Sequence, residues 1–440
     1  MEKDFNPDRL IKPMWEAFNG EVSNYNKIWN YYRGQTDAKK NYTQTRRSNL
    51  KVGCNYLKKF AKEETSYSVG NPIAYISKTE NQKAVDVINL ISENFSENHD
   101  INNFLHMVLF GLAYEIYYVD RWGDLQIRTI RPNQGYAIEG EDGTVETFAH
   151  FYTEKELDGG EIKAVEYADL YTADRIYTYR REDNSFYLVD EVQHFFGECP
   201  VGIAKVSELT WEDTIYNDIK ELQDALETNF SDIVNEISDF RNAYLVLTGM
   251  TLEEEDERAI GDSGILEIPT ADGKAEWLIK NINDTFIQNT LKALQEKLYE
   301  ISSHINANDS EQMSNASGVA LKSRLINLMQ RCKVNENSYS ELLKTRIRII
   351  FVWANQKSLG AFNWKDIKVK YSPLIPSDDT VNADIITKLQ GIVSDSTLLS
   401  LLSFVENPSE EIKKVEAQSD PLRGYADPEE MEEEGTEGDI

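Results

Sequence analysis

The residues able to do chemistry are few. Cysteines stand at Cys54, Cys199 and Cys332, and histidines at His99, His106, His150, His194 and His304. A nucleophilic Cys–His pair needs the two side chains within hydrogen-bond reach. Only Cys199 and His194, five residues apart, are close in sequence, and their β-forming surroundings read more plainly as a half-buried thiol and a strand histidine. The histidines lack the spacing of zinc ligands. No GxxxxGK[ST], HExxH or GxSxG occurs, and no GxGxxG follows a strand. Carboxylates are plentiful, and two sets are dense. One is the run Glu253–Glu257. The other is Asp218, Glu221, Asp224, Glu227, Asp232, Glu236 and Asp239 on a predicted helix, with Glu212 and Asp213 just before them and Lys220 the only cation. Metal-dependent hydrolysis needs two or three carboxylates converging on one ion. Consecutive acids rarely converge, and the helical set spreads over about 30 Å. No catalytic residue, no metal and no cofactor is expected.

Function must therefore be sought in architecture. The chain has 440 residues and a formal net charge of −30, from 46 Lys+Arg against 76 Asp+Glu. With 40% apolar and 11% aromatic residues it can build real cores, and its length suggests about three folding units. Such an acidic chain will not coat nucleic acid through its overall field, although it could surround it without sticking. One basic island runs from Arg33 to Lys62: Arg33, Lys39, Lys40, Arg46, Arg47, Lys51, Lys58, Lys59 and Lys62 against Asp37. It is a solvated face, a surface for an acidic neighbouring subunit, or a nucleic-acid contact. Three isolated cysteines predict no disulfide framework and a reducing compartment. The start Met1-Glu2-Lys3-Asp4 predicts no secretory signal, and no apolar run nears the ~20 residues of a membrane span.

Residues 1–110 read as mainly helical. Residues 112–205 alternate as short strands (Tyr114–Val119, Leu125–Ile130, Thr147–Tyr152, Arg175–Tyr179) separated by Gly- and Asn-bearing turns, an antiparallel β region. Apolar residues at Trp211, Ile215, Ile219, Leu222, Leu226, Phe230, Ile233, Ile237 and Phe240 step by three and four, predicting one helix over 211–240. Short strands at Tyr244–Leu247, Ile265–Ile268 and Trp277–Ile279 follow. A second striped helix is predicted over 285–306 (Ile287, Leu291, Leu294, Leu298, Ile301, Ile305). Asn306 to Asn315 is a polar loop. A long helix over about 317–356 carries a weak stretch at Asn335–Ser340 that suggests a kink. Residues 361–371 suggest a strand, about 380–392 and 395–405 two short helices with Ser394 as an N-cap, and the acidic stretch from Asp427 a disordered tail.

This order resembles the siphophage-type portal protein family of tailed bacteriophages. The resemblance rests on Tyr31-Tyr32-Arg33-Gly34, Lys51 to Phe60, Tyr67-Ser68-Val69-Gly70-Asn71-Pro72-Ile73, Phe110-Gly111-Leu112-Ala113-Tyr114-Glu115 and Glu191 to Pro200. It rests further on Asn315-Ala316-Ser317-Gly318-Val319-Ala320-Leu321-Lys322 and Gly391-Ile392-Val393-Ser394-Asp395-Ser396-Thr397. Together these cover about residues 25–420.

The resemblance implies an α+β portal fold assembled as a ring: a wing (1–205 and 317–375), stem helices (206–240 and 285–306), a small β-containing clip (241–284), a candidate tunnel loop (307–316), crown helices (376–426) and the tail (427–440). It implies a homo-dodecamer at one capsid vertex, in the virion after assembly in the host cytoplasm. Double-stranded DNA would pass without sequence specificity during packaging and ejection. Partners would be the terminase large subunit, a head-tail adaptor, and the major capsid and scaffolding proteins, with no membrane. Channel-lining candidates are Asn306, Asn308, Asp309, Ser310, Glu311, Gln312, Ser314 and Asn315, with the kink at Asn335–Ser340 as a rival. The acidic stem face would repel phosphate. The competing readings are an acidic metal-dependent nuclease and a non-viral helical scaffold or adaptor.

Overall fold

The computed structural model describes residues 6–43, 49–158, 160–240, 244–248, 274–278, 284–306, 318–373, 379–399, 402, 405 and 408–419. The chain divides into two units, residues 1–374 and 375–440.

In the first unit, helix α1 (Asp8–Tyr32) buries one stripe, Ile11, Met14, Phe18, Tyr25, Ile28 and Tyr31. Its first half lies on a five-stranded antiparallel sheet of order β4-β5-β6-β7-β8 (Gly135–Glu139, Val145–Asp158, Glu161–Tyr171, Arg175–Glu182, Ser185–Gln193). Trp15, Phe18 and Phe151 interlock there, and the Tyr179 hydroxyl donates to Asp8 at 2.9 Å. The hairpins turn where the sequence signals said: Gly123, Gly143, Gly160, Asp183 and Asn184 all have positive φ. The β region is two sheets, however. Strands β2 (Leu112–Val119), β3 (Leu125–Ile130) and β9 (Val201–Lys205) form a second one of order β3-β2-β9.

β2 is buried over its first six residues, because α5 (His99–Phe110) feeds directly into it. Gly111 makes that join with φ 70°, and a Cβ there would lie 2.2 Å from the carbonyl oxygen of Thr210; only glycine fits. Helices α2 (Asp37–Asn41), α3 (Tyr56–Val69) and α4 (Gln82–Ser92) complete the N-terminal part, and β1 (Ala74–Ser77) pairs antiparallel with β12 (Ile367–Lys370).

The expected helix over 211–240 is α6, Ile215–Phe240. It starts later because Thr210–Glu212 is a 3₁₀ turn whose Thr210 has φ 47°. Strands β10 (Tyr244–Thr248) and β11 (Lys274–Leu278) pair antiparallel after it. Ile265–Ile268 and Glu253–Glu257 lie outside the described residues. The second striped helix is α7, Asp284–Ser302. It stops short of 306 because Ser303 adopts φ 63°. The N–H of His304 then bonds Tyr299 O and that of Ser303 bonds Glu300 O, a Schellman end. The stripes of α6 and α7 join one core, with Ile215, Ile219, Leu226 and Leu298 buried.

Helix α8 runs unbroken from Gly318 to Gln356. The weak stretch Asn335–Ser340, where a kink was expected, is helical throughout: Asn335, Glu336 and Tyr339 are buried in it, and tertiary contacts override weak local propensity.

In the second unit the helices are α9 (Asp379–Leu389), α10 (Asp395–Leu399) and α11 (Pro408–Ser419). Ser394 caps α10, its hydroxyl accepting the Thr397 N–H at 3.4 Å. α10 is shorter than expected, and α11, with Pro408 at its first position, was not anticipated.

Candidate functional site

The polar residues of α6 do not form one acidic face. Gln223, Glu227, Ser231 and Asn235 recur every fourth residue and so share a face. Along it lie residues 50–55, without regular structure, and the first turn of α3. The backbone N–H groups of Leu57, Cys54, Val52 and Leu50 donate to Gln223 Oε1 (3.0 Å), Glu227 Oε1 (2.9 Å), Ser231 Oγ (2.9 Å) and Asn235 Oδ1 (2.8 Å). From Leu50 to Cys54 the periods match, since two extended residues advance about 6.6 Å and four helical residues about 6 Å, and Leu57 reaches Gln223 from the first turn of α3. Asn235 also donates to Leu50 O at 2.8 Å. The N-terminal segment is thereby strapped to the helix through groups that would otherwise stay unpaired.

This arrangement changes the role expected of the acids. Glu227 is buried, accepts from the Thr36 hydroxyl as well as from Cys54, and burial raises its pKa. Asp224 accepts the Tyr31 hydroxyl (2.8 Å), the Ala38 N–H (3.2 Å) and Lys220 (2.8 Å). Glu227 belongs to the strap, and Asp224 holds the end of α1 and the start of α2. Asp218, Glu221, Asp232, Glu236 and Asp239 lie on a third face, about 120° from both the strap and the apolar stripe. On that face Glu221 and Asp232 are exposed, Asp232 taking the Tyr42 hydroxyl at 2.7 Å, and the side chain of Asp239 lies outside the described residues. The basic island is spent partly on this packing: Lys39 donates to Gly34 O, Lys58 sits over the Tyr32 ring and Lys59 pairs with Glu63. Arg46 and Arg47 lie outside the described residues.

At the start of α6 four elements meet around one guanidinium. Arg331 of α8 stands 2.9 Å from Glu64 Oε1 of α3 and donates to Asp218 at 3.2 Å. Asn335 donates to the second Glu64 oxygen at 2.8 Å. His304, just past α7, stacks on Phe60 with ring centroids 4.3 Å apart and has Nε2 4.0 Å from Glu64. Burial pushes Glu64 up to about 7 despite Arg331, and pushes His304 down to about 4. Asn306, two residues after His304, is half-buried. The rest of the loop candidate (Asn308, Asp309, Ser310, Glu311, Gln312, Ser314, Asn315) lies outside the described residues.

A second buried charge cluster was not anticipated. Arg346 of α8 donates to Glu115 of β2 through Nε (2.8 Å) and Nη2 (2.6 Å), and to Asp100 at 2.6 Å. His99 Nε2 lies 2.6 Å from Glu115, and the Tyr339 hydroxyl donates to Asp100 at 3.0 Å. Burial opposes the charge on Glu115, but Arg346 and His99 outweigh it and hold its carboxyl below the usual range. His99, Asp100 and Glu115 are the one set of three metal-capable ligands among the described residues, within 4.8 Å of one another. The guanidinium already bonds both carboxylates, so the cluster reads as an ion-pair lock between β2, α5 and α8. Cys199 and His194 do not pair. The thiol faces Tyr171 O at 3.6 Å with its pKa raised by burial, and His194 contacts Thr172 O at 3.0 Å. No described helix is long and apolar enough to cross a membrane.

Comparison with known proteins gives one answer from sequence. The portal protein of Bacillus phage SPP1 is 21% identical over 471 aligned positions, covering 99% of this chain and 88% of the relative. The portal protein of Clostridium phage phiCD119 is 24% identical over 451 positions, covering 89% and 91%. Among solved structures, a chain from the neck of an empty GTA particle aligns over 81% of this chain and 88% of its own, at 10% identity and a TM-score of 0.43. A chain from the virion of a native gene transfer agent particle aligns over 81% and 87%, at 10% identity and 0.40. The family described as phage portal protein, SPP1 Gp6-like, matches from residue 11 to residue 421, and the chain belongs to it.

Proposed function

We propose that this chain forms a twelve-membered ring at one vertex of a phage capsid. The ring is the channel for DNA packaging by a terminase and for ejection, and the mount for head-tail connector proteins. In this reading residues 1–205 and 317–375 are the wing, α6 and α7 the stem, the β10–β11 module the clip, and 376–426 the crown. The observation that carries it, beyond family membership, is the division of α6 into three faces. One packs on α7, one holds the strap, and the third gathers acids and faces neither.

Twelve copies of that third face, with Glu221, Asp232, Glu236 and Asp239, would line a bore with negative charge. Duplex DNA would be repelled evenly and slide without trapping. The loop 307–316 has no cation and would touch DNA through amides, hydroxyls and backbone only, contacts that carry no base information. The fused charge and hydrogen-bond junction at Glu64, Arg331 and Asp218 would transmit force between stem and wing. Catalysis has no part in this role; the terminase supplies the energy.

Native mass of the purified protein, with negative-stain images of the same peak, tests the reading. Twelve 50.5 kDa chains give about 606 kDa and annuli with a central hole. A monomer of about 50 kDa at every salt concentration and in the presence of scaffolding protein refutes it.

A further inference from the structure

β8 ends the five-stranded sheet. Every residue of Ser185–Gln193 except Phe186 is exposed, although the strand is apolar. Tyr187 is 54% exposed, Leu188 46%, Val189 53% and Val192 53%, with Phe195 at 41% just beyond. Apolar residues exposed on both faces of an edge strand mark a contact surface. Five half-exposed side chains of this size present roughly 500 Å², well over half of the ~800 Å² that each partner gives to a standard interface.

Two features restrict what can cover it. The register shifts between Thr178 and Tyr179, leaving Val189 without a cross-strand partner. This bulge interrupts the edge, so a partner packs on side chains and does not simply extend the sheet. The charges disfavour a symmetric pairing. Glu182 and Glu191 are held by Arg180 and Arg175, but Asp183 and Asp190 have no cationic partner among the described residues, and β8 against β8 would bring these acids together. The matching charge lies elsewhere on the chain. Lys51, Lys58 and Lys62 are exposed and have no carboxylate partner among the described residues. Lys58 and Lys62 stand one turn apart on α3, and Lys58 lies over the partly buried ring of Tyr32. The lysine stems and the Tyr32 ring give a small apolar floor with a cationic rim.

We infer that β8 of one copy, through Tyr187, Leu188, Val189 and Val192, packs on the Lys51–Lys62 face of a second copy, with Asp183 and Asp190 against Lys58 and Lys62. Two different surfaces meet, which is the contact that closes rings. The inference rests on the ring reading above and names one of its interfaces.

The test compares full-length wild type with Val189→Lys/Val192→Lys, Asp183→Lys/Asp190→Lys, Lys58→Glu/Lys62→Glu, and the two charge pairs combined. Each is assayed for ring mass at low salt and for circular dichroism and thermal midpoint. The three one-sided variants should lose at least tenfold in ring yield while staying folded, and the combined swap should recover rings. Rings that tolerate any one-sided variant, or a combined swap no better than its halves, overturn the contact while leaving the ring reading intact. A wild type that never forms rings overturns both.

Discussion

The Ser231 hydroxyl accepts the backbone N–H of Val52 at 2.9 Å, across 179 residues of chain. It is one rung of four that tie residues 50–57 to α6, and it makes the strap testable by ordinary mutagenesis. Ser231→Ala should lower unfolding free energy by about 1 kcal/mol, the net worth of one such bond plus a stranded donor. Hydrogen exchange at Val52 should accelerate, while amides in the five-stranded sheet keep their rates. Unchanged exchange at Val52 would mean that the strap is held by something other than this ladder.

Glu64 sets a pH signature. Its folded-state pKa of about 7 stands above the 4.5 of an ordinary glutamate. A carboxyl raised in this way favours the folded state fully below pH 4.5, and that contribution is lost as pH rises to 7, amounting to about 3 kcal/mol. Glu64→Gln removes this dependence. The difference in unfolding free energy between wild type and variant should therefore shift in the variant's favour between pH 4.5 and 7 and stay level above. Parallel profiles would show that Glu64 is ionised throughout.

Arg346 neutralises a fully buried carboxylate. Arg346→Met should cost about 3–5 kcal/mol, because Glu115 is left charged and unpaired. Adding Glu115→Gln should recover part of that loss. Denaturant midpoints of the two variants decide it; equal midpoints would mean that Arg346 acts only through its packing.

Ser303 holds a left-handed conformation that glycine adopts without strain. Ser303→Gly should raise stability by about 1 kcal/mol with no change in assembly. A lower thermal midpoint would indicate that the serine side chain contributes a contact.

Much of this was legible in local pattern. The three- and four-residue steps of Ile215 to Phe230 located α6 and its buried side, and the positive-φ turns fell where glycine and Asn184 marked them. The strap was missed because the acids of α6 drew attention to charge. Gln223 and Asn235 carry none, and only their four-residue spacing with Glu227 and Ser231 gave them away. Glu115 was readable as an anomaly, a lone acid in a strand buried on both sides. Its partner was not, because nothing local points from Glu115 to Arg346. The unbroken course of α8 through Asn335–Ser340 was hidden for the same reason, as Asn335 and Tyr339 are held by Glu64 and Asp100.

The lock between Glu115 and Arg346 also imposes an order in time. The two residues are 231 apart, so at roughly 5–20 residues per second the ribosome delivers the acid some 10 to 45 s before its counterion. Until then β2 cannot bury its carboxylate without cost, and the sheet built around it stays open to solvent. A truncated chain that ends before α8 carries that defect permanently. Only chains extended past Arg346 can close this core, which withholds a shorter fragment from any assembly that requires it.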